Sequence, residues 1–149
     1  MKRIGLIVIA GAALCLPAVS AGATVTSSRA AKVQVRHTAL GSILTNGRGF
    51  TLYVFTRDSR KHDSCMGIKN CARVWPVLMT SGASAAGPGV SRSRLGTIKL
   101  ANGARQVTYA GHPLYTYVGD GGPGQTEYVG FSQFGGRWYA INAAGRIVK

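Results

Sequence analysis

Two tyrosines, two further aromatics and two aspartates are the residues whose types could carry chemistry. Tyr53, Phe55 and Asp58 stand in TLYVFTRD, and Tyr115, Tyr117 and Asp120 repeat the same spacing in PLYTYVGD. Paired carboxylates suit general acid–base catalysis. Such chemistry needs one carboxyl to be held protonated. Here each aspartate sits among turn formers and basic neighbours, and nothing in the sequence forces that state. Asp58 also lies five positions after Tyr53, about 16 Å along a straight strand, so contact within one copy requires the chain to bend. Two arrangements avoid this. Each aspartate accepts backbone N–H groups in the turn that ends its strand, or each meets the tyrosine hydroxyl of the other copy across a pseudo-twofold axis. A ligand site built from Tyr53, Asp58, Tyr115 and Asp120 is the functional counterpart of these structural readings.

Other reactive side chains are few. Cys65 and Cys71 are the cysteines that remain once Cys15 is removed with an export signal. Export favours oxidation, and a disulfide closing so short a loop would stabilise by about 2 kcal/mol in the chain-entropy model. Metal binding by His62, Cys65 and Cys71 is the rival, but it lacks a paired CxxC or a second ligand cluster, so neither metal nor bound cofactor is expected. His112 stands between Gly111 and Pro113 in a turn and reads as a surface or packed histidine. Trp75 and Trp138 read as core anchors, although exposed tryptophans could stack on sugar rings. There is no GxSxG elbow, HExxH, Walker loop or Rossmann fingerprint, which argues against an enzyme.

The chain is strongly basic, with a formal net charge of +14 over 149 residues. Such an excess draws a protein toward polyanions. Arg57, Arg60, Lys61, Lys69 and Arg73 concentrate in one loop region and are the candidate anion-binding residues, while Arg92, Arg94 and Lys99 follow further on. No aromatic-rich nucleic-acid motif accompanies them. An anionic cell-envelope polymer or headgroup is the partner these charges suggest. The sequence does not set the oligomeric state.

Residues 1–23 read as a cleavable secretory signal: Lys2 and Arg3, an apolar run over residues 4–14, Pro17, and small residues Ala21 and Ala23 before Thr24. Cleavage after Ala21 is the neighbouring alternative. Leu14 stands before Cys15 where a lipidation signal wants a small residue, which argues against a lipid anchor. No later segment is apolar enough to span a bilayer. The expected location is secreted, periplasmic or at the cell surface.

The elements that must position the motif are strands. Residues 24–39 read as a flexible lead-in and a first strand, with period-two alternation over residues 32–36. Residues 42–45 and 51–56 flank a tight turn at residues 46–49, a hairpin signal. Residues 74–78 read as a short edge strand, because Pro76 cannot donate to a central ladder. Residues 81–94 have linker composition. Strands follow at residues 95–100, 105–109, 113–118 and 137–142, with a last short one near residues 146–148. No segment carries long helical periodicity.

Shifting the chain by 62 positions places Gly49 on Gly111, Leu52 on Leu114, Tyr53 on Tyr115, Phe55 on Tyr117 and Asp58 on Asp120, and one position more places Trp75 on Trp138. This predicts an all-β domain over residues 40–149. Two similar antiparallel units of three to four strands, about residues 40–80 and 95–149, would pack face to face around one core in a small sandwich or barrel-like fold.

The stretches LGSILTNGRGFTLYVFTRD, CARVWP, LGTIKLANGARQVTYAGHPLYTYVGD and FGGRWYAIN resemble the family of secreted proteins and predicted lipoproteins bearing a Yx(FWY)xxD motif, a secreted repeat of unknown function. They cover nearly all of residues 40–142. The wider Cys65 to Cys71 spacing, Val77 where the family commonly shows a second proline, and the missing lipidation signal depart from its pattern. The resemblance implies the fold and export but no reaction. The reading that follows is a noncatalytic envelope or extracellular binding or structural module with a basic surface for an anionic envelope partner. The alternative is an envelope-associated enzyme or redox or metal accessory protein using the Tyr/Asp motif or the His62, Cys65 and Cys71 loop.

Overall fold

The computed structural model describes residues 30–149. The signal-peptide reading of residues 1–23, the lipidation reading of Cys15 and residues 24–29 of the lead-in lie outside the described residues. Among the described residues no helix is long and apolar enough to cross a membrane.

Strands dominate, in the order β1 (Lys32–Thr38), β2 (Gly41–Asn46), β3 (Tyr53–Phe55), β4 (Met79–Thr80), β5 (Ala85–Ala86), β6 (Leu95–Lys99), β7 (Arg105–Tyr109), β8 (His112–Pro113), β9 (Ser132–Gln133), β10 (Gly136–Ile141) and β11 (Ile147–Val148). One short helix, α1 (Cys71–Val74), and two 3-10 turns, Cys65–Gly67 and Arg92–Arg94, interrupt them. The strands form three small sheets: β2-β1-β5, then β11-β10-β3 with β9 on β10, then β4-β7-β6 with β8 on β7. All pairs are antiparallel except β1 with β5. The all-β class and the two units stand, and the sheets remain separate rather than closing into a barrel.

Asparagine chemistry makes the turns. Asn46 Oδ1 accepts the N–H groups of Arg48 and Phe50, and Asn102 Oδ1 accepts that of Ala104. These Asx turns occur where Asn-Gly pairs stand in the sequence. Gly49 and Gly103 take φ of +87° and +84°, the left-handed region a glycine enters freely.

Residues 81–94, of linker composition, do more than join. Ala85 and Ala86 pair in parallel with Lys32 and Val33, and Val35 donates its N–H to Pro88 O at 3.1 Å. The glycines there permit close approach: a Cβ on Gly87 would stand 2.9 Å from Val33 O, and one on Gly89 would stand 2.8 Å from Val35 Cγ2. β1 is thus the central strand of the first sheet. Residues 74–78, expected as a short edge strand, do not form one: Val74 ends α1, with Trp75 N–H returning to Cys71 O at 2.8 Å, and the regular strand is β4 at Met79–Thr80. The strand pairing resumes at Val77, which bridges Tyr115.

Alternation along β3 divides the interior in two. Leu52 and Val54 join Val33, Leu44, Leu114 and Ile141 in one apolar cluster. Tyr53 and Phe55 face the other way, into a cluster with Trp75, Tyr115, Trp138 and the two cysteines. The expected single core between facing copies is therefore replaced by two clusters on opposite faces of the motif strands. The copies are also exchanged. β3 of the first unit pairs with β10 of the second, while Thr116 of the second unit donates to Pro76 O of the first at 2.9 Å.

Candidate functional site

The centre of the molecule is a backbone pair. Tyr53 N–H donates to Tyr115 O at 2.9 Å and Tyr115 N–H to Tyr53 O at 3.0 Å, the reciprocal bonding of an antiparallel pair. A pseudo-twofold axis passes between these residues, and the motif is arranged around it.

Each motif then runs through the same steps. The aromatic two residues on stacks against a tryptophan of the opposite unit: Phe55 on Trp138 at 4.1 Å between ring centroids, Tyr117 against Trp75 at 4.2 Å. A four-residue turn follows, with Asp58 N–H donating to Phe55 O at 3.1 Å and Asp120 N–H to Tyr117 O at 3.4 Å. The turn brings each carboxylate to the tyrosine of the other copy. Tyr115 Oη donates to Asp58 Oδ2 at 2.7 Å, and Tyr53 Oη to Asp120 Oδ1 at 3.1 Å. The spacing now has a cause: the two residues before the aspartate are the interior of a turn. Of the two arrangements open in the sequence, the cross-copy contact is present in both copies, and Asp58 adds the backbone one by accepting Ser64 N–H on Oδ1 at 2.8 Å. Asp120 differs, since its Oδ2 is buried with no protein partner.

Trp75 and Trp138 stack on each other at 4.0 Å, with planes inclined by only 1°. Tyr53 meets Trp75 edge-on at 5.1 Å, and Tyr115 meets Trp138 likewise. Both indoles are fully buried, which removes them as platforms for sugar rings. Their N–H groups converge on one residue that sequence reasoning missed. Gln133 accepts Trp75 Nε1–H on its side chain at 2.8 Å and Trp138 Nε1–H on its carbonyl at 3.4 Å. A lone glutamine in a Gly-rich stretch carries no signal of this in the sequence.

Burial sets the charge states. It pushes the Asp58 carboxyl up to about 6, against the opposing hydrogen bonds from Ser64 and Tyr115. It pushes Asp120 up to about 6 as well, with the Tyr53 hydroxyl opposing and the Glu127 charge adding. Burial and then the facing carboxylates raise both phenols far above the ordinary tyrosine range. The tyrosines therefore remain donors at neutral pH. Such a pair clamps two segments together, and its raised phenols stay protonated and bonded to the carboxyls of the other copy.

Cys65 and Cys71 form a disulfide, with Cα atoms 5.4 Å apart and both residues fully buried. Among the described residues no three His, Cys, Asp or Glu side chains come together to hold a metal ion. His112 pairs with Tyr109 across a turn, and burial, then the Arg60 charge, lowers its pKa.

Of the five candidate cations, Arg60 and Lys61 line one cleft, and Arg57, Lys69 and Arg73 do not line it. Arg57 Nη1 donates to Phe134 O at 3.1 Å, beside the β9–β10 hairpin. Arg60 lies against Gly111. Arg73 stands in the last turn of α1, and Lys69 on the disulfide loop is exposed.

Residues 34–79 and residues 96–142 each match the model of a family described as a secreted repeat of unknown function. No curated protein and no solved structure matches the chain.

Proposed function

From the premise that the chain belongs to this family of secreted repeats of unknown function, we propose that it is a noncatalytic exported binding module whose basic surface engages an anionic polymer of the cell envelope. The observation that carries the reading is how the charges are divided between surface and interior. Every lysine and arginine of the described residues is exposed to solvent. All four acids accept hydrogen bonds within the chain: Asp58 and Asp120 from tyrosine hydroxyls, Asp63 from Met66 N–H at 2.8 Å and Glu127 from Thr126 N–H at 3.0 Å. With 18 lysines and arginines against four acids, most of the positive charge has no acid to balance it, and a polyanion neutralises the surplus with release of its counterions. The exchanged Tyr–Asp pairs and stacked tryptophans hold the scaffold that carries these charges.

The test is cosedimentation of the protein with lipid-extracted envelope across a salt series, with the D58N/D120N variant in parallel. Retention that falls steeply with salt, equally in both proteins, supports the basic surface. No retention at low salt overturns it. Retention at high salt by the unmodified protein alone, with the variant still folded, would make the Tyr–Asp centre a ligand site instead.

A further inference from the structure

β7 and β8 are joined by Ala110 and Gly111, with φ of +50° and +84°. This two-residue turn holds two segments that are distant in sequence. Ala110 N–H donates to Arg94 O at 2.8 Å, and Lys61 N–H donates to Gly111 O at 2.8 Å. Each segment brings a guanidinium that rests on a glycine. A Cβ on Gly111 would stand 3.1 Å from Arg60 Cζ, and one on Gly145 would stand 3.6 Å from Arg94 Nη1. Between the segments lies a cleft of about 440 Å³ that both arginines line together with Lys61, Ser93, Leu95 and Thr108. No carboxylate lines it.

The pseudo-twofold axis provides an internal control. At the shift of 63 that also matches Trp75 with Trp138, Lys61 falls on Gly124, whose N–H donates to Gly49 O at 2.9 Å as Lys61 N–H does to Gly111 O. Pro123 stands over Gly49 as Arg60 stands over Gly111. There a single guanidinium lies close by, Arg36, whose Nη1 would stand 3.2 Å from a Cβ on Gly49 and whose Nε would stand 2.7 Å from one on Gly124, so the clamp itself needs neither a lysine at the Lys61 position nor an arginine at the Arg60 position. Lys61 moreover holds φ of +60°, a left-handed conformation that costs a residue with a Cβ and that Gly124, at +79°, takes freely. A local rule broken in one copy only points to function rather than architecture.

We propose that this cleft binds the phosphoryl group of a phosphomonoester. Arg60 and Arg94 supply planar forks that match its oxygens, Lys61 supplies a third charge, and the remaining volume takes the organic part. A phosphomonoester carries roughly −1.5 to −2 at neutral pH and so matches three cations better than a singly charged sulfate ester does. The assignment of that group to a phosphorylated envelope polymer rests on the function proposed above.

Glucose 6-phosphate and glucose 6-sulfate, titrated into ¹⁵N-labelled protein at about pH 5.5 and about pH 7.5, test the cleft across the second phosphate ionisation near 6. The phosphate is expected to shift the amides of Gly96, Ala110 and Gly111 and to bind more tightly at the higher pH. The sulfate is expected to bind more weakly and not to tighten at the higher pH. R60Q/R94Q should weaken phosphate binding about tenfold or more, while R48Q/R137Q, removing equal charge elsewhere, changes it by less than about twofold. Should R60Q/R94Q fail to fold, R60K/R94K keeps the charge and loses only the forks, and an intermediate loss is expected. Unshifted cleft amides, or equal losses in the two charge-matched variants, overturn the site. Cosedimentation that fails while glucose 6-phosphate still fills the cleft overturns the envelope reading alone. Cosedimentation that persists while the cleft takes no phosphate overturns the site alone.

Discussion

Tyr115 donates its hydroxyl proton to Asp58 Oδ2 at 2.7 Å across 57 positions of sequence. The reciprocal bond from Tyr53 to Asp120 leaves that aspartate with one phenolic donor and an unpartnered second oxygen. Removing the Tyr115 hydroxyl leaves Asp58 the Ser64 N–H, whereas removing the Tyr53 hydroxyl takes from Asp120 its only side-chain donor. Hydrogen bonds to charged groups contribute about 1.5–3 kcal/mol. Tyr115→Phe and Tyr53→Phe should therefore each lower stability by about that much in urea denaturation, with Tyr53→Phe the costlier. Unchanged midpoints in both would mean that the pairs serve a ligand rather than the fold.

The same carboxyls make stability depend on pH. Burial raises both from 3.8 to about 6, so the folded chain holds protons that the unfolded chain releases. This contribution is fully present below 3.8 and is lost as pH rises through about 6. His112 opposes it, because a lowered histidine pKa contributes stability that is lost as pH falls. Comparison with Asp120→Asn isolates the carboxyl. The amide still accepts the Tyr53 hydroxyl and carries no buried charge, so it should cost little at about pH 7.5 and progressively more toward about pH 5. Thermal melts of both proteins across that range read the difference, and a constant offset would refute the assignment.

Much of this centre was legible because it repeats. Period-two alternation in a strand suffices to set Tyr53 and Phe55 on one face and Leu52 and Val54 on the other, and the Asn-Gly pairs mark turns that Asx bonding explains. The hidden part is what repetition cannot encode. Glycines 87 and 89 give residues 81–94 the composition of a linker, yet their missing side chains are what lets the segment lie on β1. The exchange of strands was hidden because Trp75 and Trp138 match equally well whether each packs within its own copy or against the other. The cleft beside Gly111 was hidden because Arg94 joins Arg60 only through the Ala110 turn.

Gln133 ties the two indoles together through different atoms. Gln133→Ala removes the side-chain acceptor of Trp75 and keeps the carbonyl that serves Trp138. An unpaired buried N–H costs about 1–3 kcal/mol. The variant should lose that much stability and change the fluorescence of Trp75 more than that of Trp138, as read in W75F and W138F backgrounds. A loss confined to Trp138 would show that the carbonyl contact governs the stack.

Neither half of this repeat should fold alone. β3 finds its partner in β10, and residues 114–118 find theirs in residues 74–78. The aromatic cluster likewise draws Tyr53, Phe55 and Trp75 from one half and Tyr115 and Trp138 from the other. A half alone would expose both the ladder groups of its motif strand and one face of its tryptophan, surfaces that require a partner. Residues 30–94 and residues 95–149, prepared separately, are expected to lack cooperative thermal transitions and to regain one on mixing at equal concentration. The recovered transition should depend on concentration, as it does when folding and association are coupled. A half that melts cooperatively by itself would show that each unit can close on its own tryptophan, and the exchange would then be a choice between two packings rather than a requirement of the fold.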